Sequence, residues 1–352
     1  MKNSDFKKRF KSISLKIWSK VTTIDEIKGQ WIAGARLSPQ ILGRLKRSVL
    51  ITSTGSSTRI EGVRLSDEDI EKVIRGIVIQ KFTDRDKQEA RSYYELLENV
   101  FNSWQHIHLN VSTIKHFHKE MLKYVEKDLK HRGEYKRKEN KVGIVDNDGK
   151  ILQTVFDTTP AFLVEKEMIE LIEWTNDALH KEEIHPLLVI GNFVVDFLLI
   201  HPFQDGNGRI SRILTNFLLL KAGYPFVPYI SHEKLIEDNK ADYYVSLRKS
   251  QNTLQSNKPN ISQWLVFFLD MVHQQSKLAL ELLSRENIEK LLSEKQLSVW
   301  RYIEKAGEAS PREMSKETGV ARPTINQVLD RLLQFKKIER IGLGRSTRYR
   351  KV

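Results

Sequence analysis

Apolar residues recur at intervals of three and four along most of the chain, which is the spacing of an amphipathic helix. Ser66, followed by acidic residues, marks the start of one such helix at residues 65–80. The segment 185–203 is apolar on nearly all sides, which is typical of a buried central helix. Further helices are predicted at residues 24–37, 38–62, 86–104, 111–125, 161–180, 209–223, 242–251 and 261–283.

Two regions depart from this helical pattern. Short β-prone runs at Val142–Val145 and Ile151–Phe156 flank Asp148-Gly149, which predicts a β-hairpin. Residues 284–294 are charged and poor in apolar residues, which favours a domain boundary there. The last part of the chain has a pattern of its own, with helices predicted at 294–305, 310–319 and 320–337 and two short strands around Gly342–Gly344. The pattern therefore predicts a mainly α protein with a small separate domain at its end.

Composition narrows the class of protein. The 352 residues are 40% hydrophobic, which is enough for a large core, and they include no cysteine. Disulfides, thiolate metal sites and cysteine nucleophiles are therefore excluded, and a reducing cytoplasm suits the chain. The basic first residues lack the apolar stretch of a signal peptide. The longest apolar runs are shorter than the roughly 18 residues of a membrane span, so no membrane association is expected.

The net charge of +13 is concentrated near the end of the sequence. Residues 294–352 hold 14 Lys or Arg and 7 Asp or Glu, a net of +7. Such an excess is common in proteins that bind nucleic acid, although it also aids solubility.

Polar residues with chemical potential directly follow the apolar helix, in HPFQDGNGRISR at residues 201–212. Gly206 and Gly208 around an asparagine, before a new helix, are suited to an anion site at the helix N-terminus. Asp205 offers oxygen ligands for Mg²⁺. Arg209 and Arg212, together with His201 as a base, complete a set that fits chemistry at a nucleotide phosphate. The alternative is an ordinary helix cap with solvated arginines and a core histidine.

The same twelve residues fit every fixed position of HPFx[D/E]GN[G/K]RxxR, and the chain thereby resembles the Fic family. The likeness extends over residues 30–275. GEYK followed by a hairpin resembles the flap of the family, and DYYVSL resembles a segment that lines its nucleotide pocket. The resemblance implies a Fic-type helical bundle with a β-hairpin flap.

What the resemblance implies for function is transfer of AMP from ATP, with Mg²⁺, to a Ser, Thr or Tyr hydroxyl of a protein target or of the chain itself. In that reading His201 is the general base, Phe203 anchors the loop and Asp205 holds Mg²⁺. The remaining motif residues would bind the triphosphate: Gly206, Asn207 and Gly208 at the α- and β-phosphates, Arg209 at the β-phosphate and Arg212 at the γ-phosphate.

The resemblance also assigns residues outside the motif. The hairpin residues Val142, Gly143, Ile144 and Val145 would pair with the backbone of the target; otherwise they form a surface hairpin. Tyr243 and Gln251 occupy positions of the adenine pocket, although many relatives have Asn at the second. Tyr243 is equally suited to the core.

Upstream, SSTRIEG contains Ser57, Glu61 and Gly62 in the family's inhibitory pattern [S/T]xxxE[G/N]. Ser57 and Glu61 are four residues apart and share one helical face. Glu61 would pair with Arg212 and exclude the γ-phosphate. Alternatively, Glu61 is an ordinary helix-end residue before a C-cap glycine. Some relatives use this glutamate to remove AMP, which leaves a second activity open.

The last domain resembles a winged helix. Its third helix would be the recognition helix, with Arg322, Thr324, Asn326 and Gln327 near its start, while Arg345, Arg348 and Arg350 would meet phosphates. Winged helices also bind proteins or form dimers, so a homodimer stays open, as does a DNA-binding regulator that senses nucleotide. The predicted domains are an N-terminal helical region (1–110), the catalytic core (111–283) and the winged helix (284–352).

Overall fold

A computed structural model describes most of the chain. The described residues are 6, 9–10, 13–34, 39–76, 84–125, 128, 130–145, 151–254, 256, 258–334, 337–342 and 347–352, with backbone alone for 141–145, 151–157 and 284–291. The chain divides into two compact units, residues 1–280 and 281–352.

The larger unit is built from helices, as the pattern predicts. In chain order these are α1 (Leu15–Gly34), α2 (Pro39–Ile60), α3 (Asp67–Ile74), α4 (Arg85–Ser103), α5 (Val111–Met121), α6 (Val164–Lys181), α7 (Pro186–Ile200), α8 (Asn207–Lys221), α9 (His232–Asp238), α10 (Lys240–Gln251) and α11 (Ser262–Leu291), whose residues from Glu281 onward belong to the smaller unit. Short 3₁₀ turns lie at Trp104–His106, Ala161–Leu163 and Val227–Tyr229. The mainly α prediction is confirmed.

The centre of the larger unit is the pair α7 and α8. Every residue from Leu187 to Ile200 is buried, as expected for a helix that is apolar all round. Gly191 lets α11 approach closely, because a Cβ there would lie 2.6 Å from Leu265. The indole of Trp264 donates a 2.7 Å hydrogen bond to the Gly191 carbonyl. This packing places α11 directly against the N-terminal half of α7.

The predicted hairpin is present as two antiparallel strands, β1 (Lys141–Val145) and β2 (Ile151–Asp157). Its register pairs Lys141 with Asp157 and Val145 with Ile151, with irregularities between. The predicted turn at Asp148-Gly149 lies outside the described residues.

The smaller unit has its own core and a three-stranded sheet. Its elements are α12 (Glu294–Ala306), β3 (Glu308–Ala309), α13 (Pro311–Thr318), α14 (Arg322–Gln334), β4 (Ile338–Ile341) and β5 (Arg348–Lys351). The antiparallel sheet has the order β3-β5-β4. Trp300, Met314, Ile325 and Leu332 are among its core residues. β3 was not predicted, because two residues are too short to show an alternating pattern.

No helix among the residues that the structure describes has the length and apolar character needed to cross a membrane.

Candidate active site

His201 ends helix α7 in a left-handed conformation, with φ of 51°. Its backbone N–H donates to the Phe197 carbonyl at 2.9 Å, and its ring Nδ1 lies 3.1 Å from the Leu198 carbonyl oxygen. Because a carbonyl only accepts, Nδ1 carries the proton and Nε2 keeps its lone pair. Burial lowers the pKa of His201 to about 4, and the charge of Lys136 adds to the shift. The imidazole is therefore neutral at pH 7 and able to accept a proton at Nε2.

The motif loop (residues 201–206) is held by its own buried side chains. Phe203 is fully buried. The Asn207 amide closes the loop, since its Oδ1 accepts from the Phe203 N–H at 2.9 Å and its Nδ2 donates to the Phe203 carbonyl at 2.8 Å. Both polar groups of Asn207 are thus engaged with the loop backbone, and its contact with an α-phosphate stays a prediction.

The two glycines of the motif lie where a side chain would not fit. Gly206 has φ of 77°, and a Cβ there would collide with the Met121 side chain. A Cβ on Gly208 would collide with the Glu61 carboxylate, whose Cδ would be 3.2 Å away. A carboxylate therefore lies directly against the first turn of α8, where unpaired backbone N–H groups and the helix dipole favour an anion.

The Asp205 carboxylate lies between two arginines, Arg85 and Arg209. Its Oδ1 accepts from the Gly206 N–H at 2.6 Å and lies 3.3 Å from Arg209, and its Oδ2 accepts from Arg85 at 2.7 Å. Burial alone would raise the pKa of Asp205, but Arg209, the Gly206 hydrogen bond and Arg85 lower it below its usual value. The carboxylate therefore stays ionised.

Asp205 belongs to a cluster that suits a hard cation. Ligand atoms of Glu89, Asp128 and Asp205 all lie within 4.8 Å of one another. Carboxylate oxygens are the donors that Mg²⁺ prefers, and the Asp205 side chain is 44% exposed, so a metal could reach it. The residues present thus fit the expected Mg²⁺, with Asp205 as its ligand.

Arg209 and Arg212 are both buried but have different partners. Arg209 pairs with Glu89, whose side chain is 6% exposed. Arg212 donates from Nε to the Ser57 hydroxyl at 2.9 Å and from one Nη to the Ser57 carbonyl at 3.0 Å. The same Nη donates to Glu61 Oε1 at 2.7 Å.

Glu61 reaches this position because helix α2 ends beside α8. Its backbone N–H donates to the Thr58 carbonyl, and Gly62 follows with φ of 98°. Burial would raise the pKa of Glu61, but the charges of Arg212 and Arg209 lower it below its usual value. Glu61 is therefore an anion that lies against both Arg212 and the start of α8.

Residues 108–219, which include α7, the motif loop and α8, match the model of the Fic/DOC family. The chain carries a Fic/DOC domain.

Named relatives agree with this assignment. A Fido domain-containing protein of Dictyostelium discoideum is 40% identical over 86 residues, which are 24% of this chain and 56% of the relative. Protein adenylyltransferase fic-1 of Caenorhabditis elegans is 33% identical over 89 residues, which are 25% of this chain and 16% of the relative. The chain thus spans about half the length of the first relative and about a sixth of the second.

Solved structures share the fold. A Fic family protein from Desulfovibrio desulfuricans G20 has a TM-score of 0.61 and 24% identity, with 97% of each chain covered. Fic-1 from Caenorhabditis elegans has a TM-score of 0.61 and 18% identity, with 77% of this chain and 73% of that chain covered.

Helix α2, which ends one residue before Glu61, is fastened to the rest of the larger unit at two further points. The Ser53 hydroxyl donates to the Ser231 hydroxyl at 2.8 Å in a buried contact. Arg59 donates to Glu237 at 2.5 Å and 3.1 Å and also pairs with Asp67 at 3.0 Å. Glu61 is therefore presented by an anchored helix.

The predicted adenine-pocket residues are both buried in the larger unit. Tyr243 packs edge-on against Trp264 with ring centroids 5.7 Å apart. Gln251 donates to the Val195 carbonyl at 3.4 Å. Their contact with adenine stays a prediction. The backbone of Val142, Gly143, Ile144 and Val145 forms β1, and target docking by this strand stays a prediction too.

The site contains residues that sequence reasoning missed. Arg85, Glu89 and Asp128 surround Asp205, with Arg85 donating to Glu89 at 2.7 Å and to Asp128 at 3.1 Å. No motif includes these residues, and each comes from a segment far from the motif. An Arg and a Glu four apart on a helix are an ordinary surface pattern, so nothing in the sequence marks them.

The predicted DNA-contacting residues of the smaller unit fall into two groups. Arg322, Asn326 and Gln327, at the start of α14, are exposed, and Thr324 is half-buried. On β5, by contrast, Arg348 pairs with Glu308 and Glu313, and Arg350 pairs with Glu339. These two arginines are already matched by acids in this unit. Arg345 lies outside the described residues.

Proposed function

We propose that this chain is a protein adenylyltransferase, which transfers AMP from ATP to a Ser, Thr or Tyr hydroxyl of a protein target or of itself. The observation that carries the proposal is a neutral His201 with a free Nε2, held at the C-terminal end of α7 inside a Fic/DOC domain. The name adenylyltransferase among the curated relatives supports it.

The chemistry follows from the arrangement of charges. His201 Nε2 takes the proton of the target hydroxyl, whose oxygen then attacks the α-phosphorus, and pyrophosphate leaves. The start of α8, Arg209 and Arg212 hold the phosphates in line and offset their charge. Mg²⁺, held by Asp205 when bound, neutralises further negative charge on the phosphates. Strand addition along β1 would hold the target backbone.

The resting enzyme is inhibited by Glu61 in this proposal. Its carboxylate occupies Arg212 and the space over Gly208, where the γ-phosphate of ATP would otherwise bind. The γ-phosphate would meet the Glu61 carboxylate beside Arg212 and be repelled by it, so ATP binds without a correctly placed γ-phosphate. A variant that lacks this carboxylate should be much more active.

The test is incorporation of label from α-³²P-ATP into the purified protein. We expect weak labelling of the wild type and strong labelling of Glu61→Gly. Adding His201→Ala to that variant should reduce the rate by about 10²–10⁴-fold, the usual effect of losing a general base. Glu182→Gly is a matched control, since Glu182 is also an exposed helix-end glutamate and its φ of 54° suits glycine. Equal labelling with and without His201 would refute the proposed mechanism.

A second function, DNA binding, is favoured by the exposed Arg322, Asn326 and Gln327 at the start of one helix of the basic smaller unit. Duplex DNA should bind the chain with an affinity that falls steeply with salt. Arg322→Ala should weaken it, whereas Arg301→Ala in the same unit serves as a charge-matched control. Absence of binding at low salt would favour a protein-interaction role.

A further inference from the structure

His118, on helix α5, lies beneath the motif loop and is fully buried. Its ring stacks on the Phe203 ring with centroids 3.8 Å apart and planes 3° from parallel. We propose that His118 is the positioning residue that fixes the loop backbone at Asp205. The inference deepens the proposed function and, for its kinetic part, rests on it.

The hydrogen bonds of the ring define its orientation. The Gly133 backbone N–H donates to Nδ1 at 2.9 Å, so Nδ1 carries no proton. The proton is therefore on Nε2, which lies 3.2 Å from the Asp205 carbonyl oxygen and donates to it. The neutral ring thus uses both nitrogens and one face, and this tautomer is opposite to that of His201.

His118 binds the backbone at Asp205, between the expected Mg²⁺ ligand and the backbone N–H groups expected to bind phosphate. Asp205 carries the carboxylate expected to bind Mg²⁺, and the next three residues carry the backbone N–H groups expected to bind phosphate. Rotation of the Asp205–Gly206 peptide would move both sets together. Met121, one helical turn along α5 from His118, closes off the space at Gly206.

The Gly133 bond ties this point to the segment that leads to the hairpin. Gly133 has φ of 73°, and a Cβ there would lie 3.1 Å from the Lys115 carbonyl. Three residues later, the Lys136 N–H donates to the Pro202 carbonyl at 2.8 Å, which touches the motif loop again. One imidazole therefore joins the loop to the segment before the hairpin.

Two substitutions separate the two hydrogen bonds of His118. The amide nitrogen of Gln can replace Nε2, so His118→Gln keeps a donor to Asp205 and loses the acceptor for Gly133. The amide oxygen of Asn can replace Nδ1, so His118→Asn keeps Gly133 and loses Asp205. Both lose the ring and one hydrogen bond, so they serve as matched controls for stability.

The experiment places each substitution in the Glu61→Gly background and measures AMP transfer, binding of ATP with Mg²⁺, and melting temperature. We expect similar melting temperatures. We expect His118→Asn to lose about 10–100-fold in AMP transfer and in Mg²⁺-dependent ATP affinity, the usual effect of removing a support of a metal ligand. His118→Gln should retain most of both. Equal losses in the two variants, or losses that follow melting temperature alone, would overturn the proposal.

A spectroscopic measurement keeps the inference testable if either variant fails to fold. Nitrogen-15 histidine NMR of the unmodified chain should show His118 with a protonated Nε2 and an unprotonated Nδ1; the reverse tautomer would overturn the proposal. If the Glu61→Gly parent transfers no AMP, the proposed function fails. His118 is then judged by ATP binding and by this spectrum.

Discussion

Arg209 and Arg212 lie three residues apart on one helix, and both are buried, yet their acidic partners differ in access to water. The Glu89 side chain that pairs with Arg209 is 6% exposed, whereas the Glu61 side chain that pairs with Arg212 is 34% exposed. A pair whose acid reaches solvent can be opened by a competing anion at moderate cost. A pair buried on both sides cannot, because opening it leaves an uncompensated charge. In the proposed mechanism, Arg209 therefore keeps its pair with Glu89, whereas Arg212 can exchange Glu61 for a phosphate.

The largest difference between the Arg209–Glu89 pair and the Arg212–Glu61 pair is expected in their contribution to the free energy of unfolding. Glu89→Ala removes the buried partner of Arg209 and should lower the free energy of unfolding by about 3–5 kcal/mol. Glu61→Gly should cost far less, because the Glu61 side chain is partly exposed. Thermal unfolding of both variants beside the wild type measures the difference. If Glu61→Gly is destabilised as much as Glu89→Ala, the two acids contribute equally to stability, which would contradict the contrast between the two pairs.

Acid should weaken the fold before it opens the Arg212 pair. Burial lowers the pKa of His118, His201 and His232 from the usual 6.5 to about 4. Between those values the unfolded chain binds these three protons and the folded chain does not, so stability falls as the pH drops through this window. The lowered pKa of Glu61 keeps its carboxylate ionised over the same range. We expect the melting temperature to fall from pH 6.5 to 4.5 while wild-type AMP transfer does not rise. A rise in wild-type AMP transfer at pH 5 would show that acid opens the Arg212–Glu61 pair.

The smallest effect is expected at Arg85, which pairs with Asp205, the proposed Mg²⁺ ligand. The side chains of both residues are 44% exposed, and such ion pairs contribute about 0–1 kcal/mol. Arg85→Gln in the Glu61→Gly background should therefore lower the Mg²⁺ concentration for half-maximal transfer by at most about fivefold. Arg91→Gln is a matched control, since Arg91 pairs with Glu95 four residues along the same helix. A higher Mg²⁺ requirement in Arg85→Gln would mean that Arg85 supports the metal site.

The sequence predicts those parts of the molecule that depend on residues close together in the chain. The helical period predicts α7 and α8, and the mainly helical fold is confirmed. The loop between them has a twelve-residue motif, and Ser57 and Glu61 have a fixed spacing, so Arg212 and its partner could be anticipated. The pairing distance of 2.7 Å then comes from the structure.

The partners of Arg209 and Asp205 could not be predicted, for a physical reason. Glu89, Arg85 and Asp128 lie 77 or more residues before Asp205, and long-range packing of helices leaves no spacing rule in the sequence. The same holds for the Asn207 amide, whose bonds to Phe203 depend on how tightly the loop closes. From the sequence alone, His118 resembles an ordinary core residue on a helix, because its two hydrogen bonds are to residues distant in the chain.

In the proposed mechanism, Glu61 and the γ-phosphate of ATP compete for Arg212. Calorimetric affinities of ATP and ADP for the wild type and for Glu61→Gly test it most directly, with Glu182→Gly as the control. The wild type should bind the two nucleotides about equally, since its Arg212 is occupied. Glu61→Gly should prefer ATP by about 10–100-fold, the value of a charge-assisted hydrogen bond. A wild type that prefers ATP as strongly as Glu61→Gly would contradict the account.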